Sequence, residues 1–88
     1  MNPSLKAIIT SMLNKKIIGK KHTPEDKIIL SKRKWITKEE NNEFEKEYQD
    51  IINNQLILKI KKRTKKGSDW HISLNPRKLK ELYEIIRS

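Results

Sequence analysis

Between Lys59 and Lys66 six of eight side chains are cationic: Lys59, Lys61, Lys62, Arg63, Lys65 and Lys66. The turn residues Gly67, Ser68 and Asp69 follow directly. Cations at this density release counterions when they meet a row of phosphates, which supplies affinity without selecting sequence. A second cluster, Lys32, Arg33 and Lys34, precedes a long polar stretch in which Asn42, Lys46, Gln49 and Asn53 recur at helical spacing. Amides pair bidentately with adenine and lysine reaches guanine, so this line has the chemistry to read base edges. The same residues suit an idle solvated face, and a charge run suits a soluble turn. Two basic clusters flanking one helix favour the phosphate reading.

The remaining reactive residues offer less. His22 and His71 have no Ser or Cys nucleophile in a recognisable setting, and two glycines cannot build a Gly-rich phosphate loop. His71, beside the cationic run, is expected to touch a phosphate at most. With no cysteine and two histidines, no metal and no cofactor is expected. The acids of the long polar stretch, Glu39, Glu40, Glu43, Glu45, Glu47 and Asp50, are too regularly spaced on exposed positions for a paired-carboxylate catalyst, so no enzymatic activity is expected. Trp35 and Trp70 have stacking chemistry, but each stands among apolar residues, and Trp70 is in phase with Ile72 and Leu74. Both are assigned to the core.

The elements that must position these residues fit a chain of 88 residues, enough for one domain spanning 1–88. Hydrophobic residues make up only 34%, but fourteen are Ile, which buries well. A net charge of +10 makes a polyanion the leading class of partner. The charge falls in blocks: residues 15–34 carry eight Lys/Arg against two acids, 37–54 two against six, and 55–69 six against one. No run of about 18 apolar residues occurs and no leader segment is recognisable, so a soluble, cytoplasmic protein is expected, nucleoid-associated if it binds DNA.

Asn2 and Pro3 supply a cap and first helical residue, and Leu5, Ile8, Ile9, Met12 and Leu13 give a helix over 3–14. Thr23, Pro24, Glu25 and Asp26 read as the start of a short helix from Pro24 to about Ser31. Thr37 and Glu40 form a capping box for a third helix whose stripe is Phe44, Tyr48, Ile51 and Ile52, ending near Asn53 and Asn54. The period then becomes two. Leu56, Leu58 and Ile60 are expected to face inward, opposite a second strand carrying Trp70, Ile72 and Leu74, with a hairpin tip from Lys62 to Ser68. Asn75 and Pro76 open a last helix with a stripe of Leu79, Leu82, Tyr83 and Ile86, which leaves Ile85 unexplained.

Three helices, a hairpin with a basic tip and a final helix give an α+β, mainly helical architecture that resembles the winged-helix variant of the helix-turn-helix. The segments from Gly19 to Pro24 and from Asp69 to Pro76 are similar to those of small archaeal winged-helix proteins. The resemblance implies a third helix in the major groove, a hairpin wing on the backbone, the segment Lys20 to Thr23 in place of a short strand, and a role in transcription regulation. The expected partner is double-stranded DNA, held by Lys61, Lys62, Arg63, Lys65 and Lys66 of the wing and by Lys32, Arg33 and Lys34, with Asn42, Lys46 and Gln49 reading bases second. RNA offers the same phosphates. Two alternatives stay open: an adaptor in which the acidic flank Glu43, Glu47 and Asp50 docks a basic protein, and a homodimer through the last helix if Ile85 is exposed.

Overall fold

The computed structural model describes the backbone of residues 2–33, 37–64 and 67–87, and their side chains except at 30–33, 64 and 67–68. Helix α1 spans Pro3–Asn14, strand β1 Thr23–Pro24, helix α2 Glu25–Arg33 and helix α3 Lys38–Asn53. Strands β2, Ile57–Thr64, and β3, Gly67–Leu74, follow, and a 3-10 turn at Pro76–Lys78 leads into helix α4, Leu79–Arg87. The fold is α+β and mainly helical, with one antiparallel three-stranded sheet ordered β1-β3-β2. Among the described residues no helix is long and apolar enough to cross a membrane.

The helix starts follow from their caps. Asn2 Oδ1 accepts from the amide of Ser4 at 2.8 Å, and Pro3, which has no N–H to satisfy, occupies the first turn. Thr37 Oγ1 accepts from the Glu40 amide at 3.2 Å while the Glu40 carboxylate accepts from the Thr37 amide at 3.4 Å, which completes the expected capping box. Leu5, Ile8, Ile9, Met12 and Leu13 of α1 are buried at the spacing of a single helical stripe. Against them pack Phe44, Tyr48 and Ile51 of α3, Ile28 and Ile29 of α2, Ile57, Ile72 and Leu74 of the sheet, and Leu82 of α4. Each fully buried aliphatic side chain among these contributes about 1.5–3 kcal/mol.

Several expectations change. Thr23 and Pro24 do not start α2; they pair with Ile72 and His71 as an edge strand, where a proline costs little because that edge has no further neighbour. The helix begins at Glu25 and runs on to Arg33, past Ser31. The hairpin ladder is longer than expected, with Lys62↔Asp69, Arg63↔Ser68 and Thr64↔Gly67 all paired, so the segment from Lys62 to Ser68 is mostly strand.

The inner face of β2 is the opposite one. Ile57 opposes Leu74 and is 1% exposed, Lys59 opposes Ile72 and Lys61 opposes Trp70, whereas Leu58 is half-buried and Ile60 is 44% exposed. Leu56 is buried, but it lies before the strand. The register is set at the hairpin base: Gln55 adopts a left-handed turn with φ 60°, and Asn75 donates from its backbone to Leu56 O at 3.0 Å and from its side chain to Gln55 O at 2.8 Å. Three adjacent apolar residues, Leu56, Ile57 and Leu58, satisfy either phase, and this clamp chooses between them.

Core packing ends before Trp70. The ring shares a face with the buried Ile72 and Leu74, yet Trp70 is 46% exposed because the residues opposite and diagonal to it on β2 are the lysines Lys61 and Lys59. Its assignment to the core is corrected. Trp35 lies outside the described residues. On α4, Leu82 is fully buried and Ile85 and Ile86 pack partly on the core, while Tyr83 is 42% exposed. The expected inner stripe therefore loses Tyr83 and gains Ile85, the residue on whose exposure pairing through this helix was to depend.

Candidate nucleic-acid interface

Strand alternation sorts the hairpin cations by face. Lys59, Lys61 and Arg63 project on the side that carries Trp70, the side packed lower down against the helices, and Lys62 projects on the other. All four are exposed. The ammonium groups of Lys59 and Lys61 stand 5.0 and 5.7 Å from the centroid of the Trp70 ring, within range of the attraction between a cation and an aromatic face. Lys59 also forms an ion pair with Glu25 at 3.2 Å, and the same Glu25 carboxylate oxygen accepts from the Tyr48 hydroxyl at 2.7 Å. At this exposure the ion pair contributes about 1 kcal/mol or less. It ties the middle of β2 to the first turn of α2.

Between α2, α3 and β2 lies a groove of about 570 Å³ whose walls include Glu25, Asp26, Asn42, Lys46, Gln49 and Lys59. Of the expected base-reading residues, Asn42, Lys46 and Gln49 are therefore brought together on one wall, with Lys46 and Gln49 beside the buried Tyr48 of α3. Gln49 Nε2 donates to Asn53 Oδ1 at 3.1 Å, so this pair supports the helix surface as the spacing allows. The acidic flank faces elsewhere. Glu43, Glu47 and Asp50 line a separate recess with Asn2 and Pro3, where the Asn2 amide donates to Glu47 Oε2 at 2.7 Å. Glu43, Glu47 and Asp50 are thus turned toward the start of α1, while Glu45, Glu25 and Asp26 line the groove itself.

The other expected cations are placed less fully. Lys32 and Arg33 belong to the last turn of α2, with side chains outside the described residues. Lys34, Lys65 and Lys66 lie outside the described residues altogether. Sequence reasoning passed over three features here: Lys59 as a wall of the groove, Trp70 as an exposed ring, and a histidine pair. The first two would have followed from placing Ile57, not Leu56, in the core phase, since Lys59 and Lys61 then fall beside Trp70.

The histidine pair sits on the opposite face of the hairpin. His22 Nδ1 and His71 Nδ1 are 2.8 Å apart, with the rings edge to face at 81°, and Lys62 Nζ lies 3.5 Å from His22 Nε2. The His22 imidazole is held below its ordinary pKa of 6.5, first by partial desolvation, then by the charge of Lys62 and by His71. These causes favour the neutral ring, and in the bond between the two imidazole nitrogens one donates and the other accepts.

Among the described residues no group of three or more His, Cys, Asp or Glu gathers in a way that could hold a metal ion. The arrangement is a paired strand ladder carrying exposed cations on both faces, with a polar groove at its foot. No protein-family model, no curated protein and no solved structure matches this chain.

Proposed function

We propose that the chain is a winged-helix domain that binds double-stranded DNA mainly through backbone phosphates, with the β2–β3 hairpin as the wing. The helix, strand, helix, helix, strand, strand order with the sheet arranged β1-β3-β2 supports the winged-helix reading. The observation that carries the binding reading is the division of cations between the two faces of a fully laddered hairpin, Lys59, Lys61 and Arg63 on one and Lys62 on the other. A ribbon charged on both faces suits a groove, where a phosphate row runs along each side. The amide line Asn42, Lys46 and Gln49 is then available for base edges on α3. Transcription regulation is the use that fits such a domain, and this last step is analogy with the family.

Duplex binding across a salt series tests the reading. With about five or six phosphates neutralised, log affinity falls with a slope near −5 against log salt, and a flat response overturns it. One observation favours a second ligand class. Trp70, exposed and flanked by cations, has the chemistry for stacking an unpaired base. Affinities for random duplex, single strands and structured RNA at one salt concentration separate the two, because duplex preference leaves Trp70 without a stacking role.

A further inference from the structure

We propose that the outer face of the wing holds a proton-coupled phosphate site, in which His71 and Lys62 donate to a phosphate and His22 takes up the proton that accompanies binding. This rests on the reading of the wing as a phosphate clamp and adds to it a named site and a pH dependence.

The two contacts favour one placement of the protons. A lysine ammonium only donates, so His22 Nε2, facing Lys62 Nζ at 3.5 Å, is the nitrogen with the free lone pair. His22 then carries its proton on Nδ1 and donates to His71 Nδ1 at 2.8 Å. That leaves the His71 proton on Nε2. Among the described residues no acceptor is bonded to this Nε2–H, and His71 is only half-buried. Among the described strand residues on this face the other charged groups are Lys62 of β2 and Asp69 of β3, which stand opposite each other in the register.

The contact from Lys62 to His22 is long for a hydrogen bond, so an anion displaces it easily. A phosphate oxygen accepting from both Lys62 and His71 Nε2–H draws the ammonium away from His22. The free His22 Nε2 lone pair then binds one proton from solvent, and the Nδ1–H of the resulting imidazolium still donates to His71. A second proton would set two N–H groups against each other at the 2.8 Å separation, so uptake stops at one. The neighbouring phosphate favours the charged ring, which reverses the effect that Lys62 has in the free protein.

The chain contains two histidines, so side-chain proton uptake near neutral pH passes through this pair. The test is the affinity of the full chain for duplex DNA at fixed salt from about pH 7.5 to about pH 5.5, together with the His ring resonances by NMR. Affinity is expected to rise about tenfold as pH falls, and the His22 pKa to rise when duplex is added. H22Q and H71Q each flatten the pH dependence, while folding is checked by retention of the amide spectrum. A pH-independent affinity in the unaltered protein, or an unchanged slope in H22Q, overturns the proposal. Pyrophosphate titration supplies a readout without DNA. If duplex fails to bind but pyrophosphate raises the His22 pKa, the DNA reading falls and the site stands; if neither raises it, the site falls.

Discussion

Exchanging Ile57 or Ile60 for alanine tests the register on which the placement of every wing cation depends. Ile57 is 1% exposed and lies opposite Leu74, so Ile57→Ala removes buried methyl and methylene groups and leaves a cavity, costing about 2–5 kcal/mol. For a domain of this size each kcal/mol lowers the melting temperature by about 4–8 °C, so a fall of at least roughly 10 °C is expected. Ile60 sits on the other face and is 44% exposed, so the same change there costs about 1 kcal/mol or less. Thermal and urea denaturation of the two variants, with equal m-values as evidence that the unfolded states match, gives the comparison. An equal effect, or a larger one for Ile60→Ala, would refute the register and move Lys59, Lys61 and Arg63 to the face assigned here to Lys62. Periodicity read from Leu56 gives that reversed outcome, so the experiment separates the two phases directly.

Three further outcomes can be measured alongside it. Lys61→Ala and Arg63→Ala, combined, should make the salt slope of duplex binding shallower by about 1.8, about 0.9 for each phosphate no longer neutralised, with little effect on stability because both side chains are exposed. Asn75→Ala removes buried bonds to Gln55 O and from the Arg77 amide and should cost about 1–3 kcal/mol in chemical denaturation, an effect confined to stability with the salt slope unchanged in the folded fraction. The depressed His22 pKa means that the unfolded chain binds a proton more readily than the folded one. Its contribution to stability is complete above about 6.5 and is lost as pH falls from there through the lower pKa of the folded chain, so H22Q should unfold with a weaker pH dependence than the unaltered protein below about 6.5.

What could be read directly from the residues was what local chemistry decides. The limits of α1 follow from Asn2, Pro3 and a stripe without competitors, and α3 begins where Thr37 and Glu40 satisfy each other's amides. The hairpin was legible because Trp70, Ile72 and Leu74 alternate without interruption. The phase of β2 was not, since a continuous apolar run at 56–58 fits both faces and the choice lies with Asn75, a residue some twenty positions away. Nor does alternation tell how far along β3 the helices reach, which is why the pattern alone puts Trp70 inside. Pro24 was ambiguous for a different reason: its fixed φ suits both the first turn of a helix and an edge strand, and pairing with His71 decided for the strand. Within the site, the amides of α3 were found by spacing alone, whereas the histidine pair joins residues 49 positions apart that only the sheet brings together.

The bond between Lys59 and Glu25 gives the wing an internal competitor. Any outside anion that seeks this ammonium must first displace a carboxylate already seated at 3.2 Å, and the displaced oxygen keeps its hold on the Tyr48 hydroxyl. A lone ion gains one partner by that exchange and surrenders another, whereas a polymer that has engaged Lys61 and Arg63 arrives at Lys59 with a high local concentration. If the wing binds a polyanion as proposed, this carboxylate weighs against small anions more than against long ones.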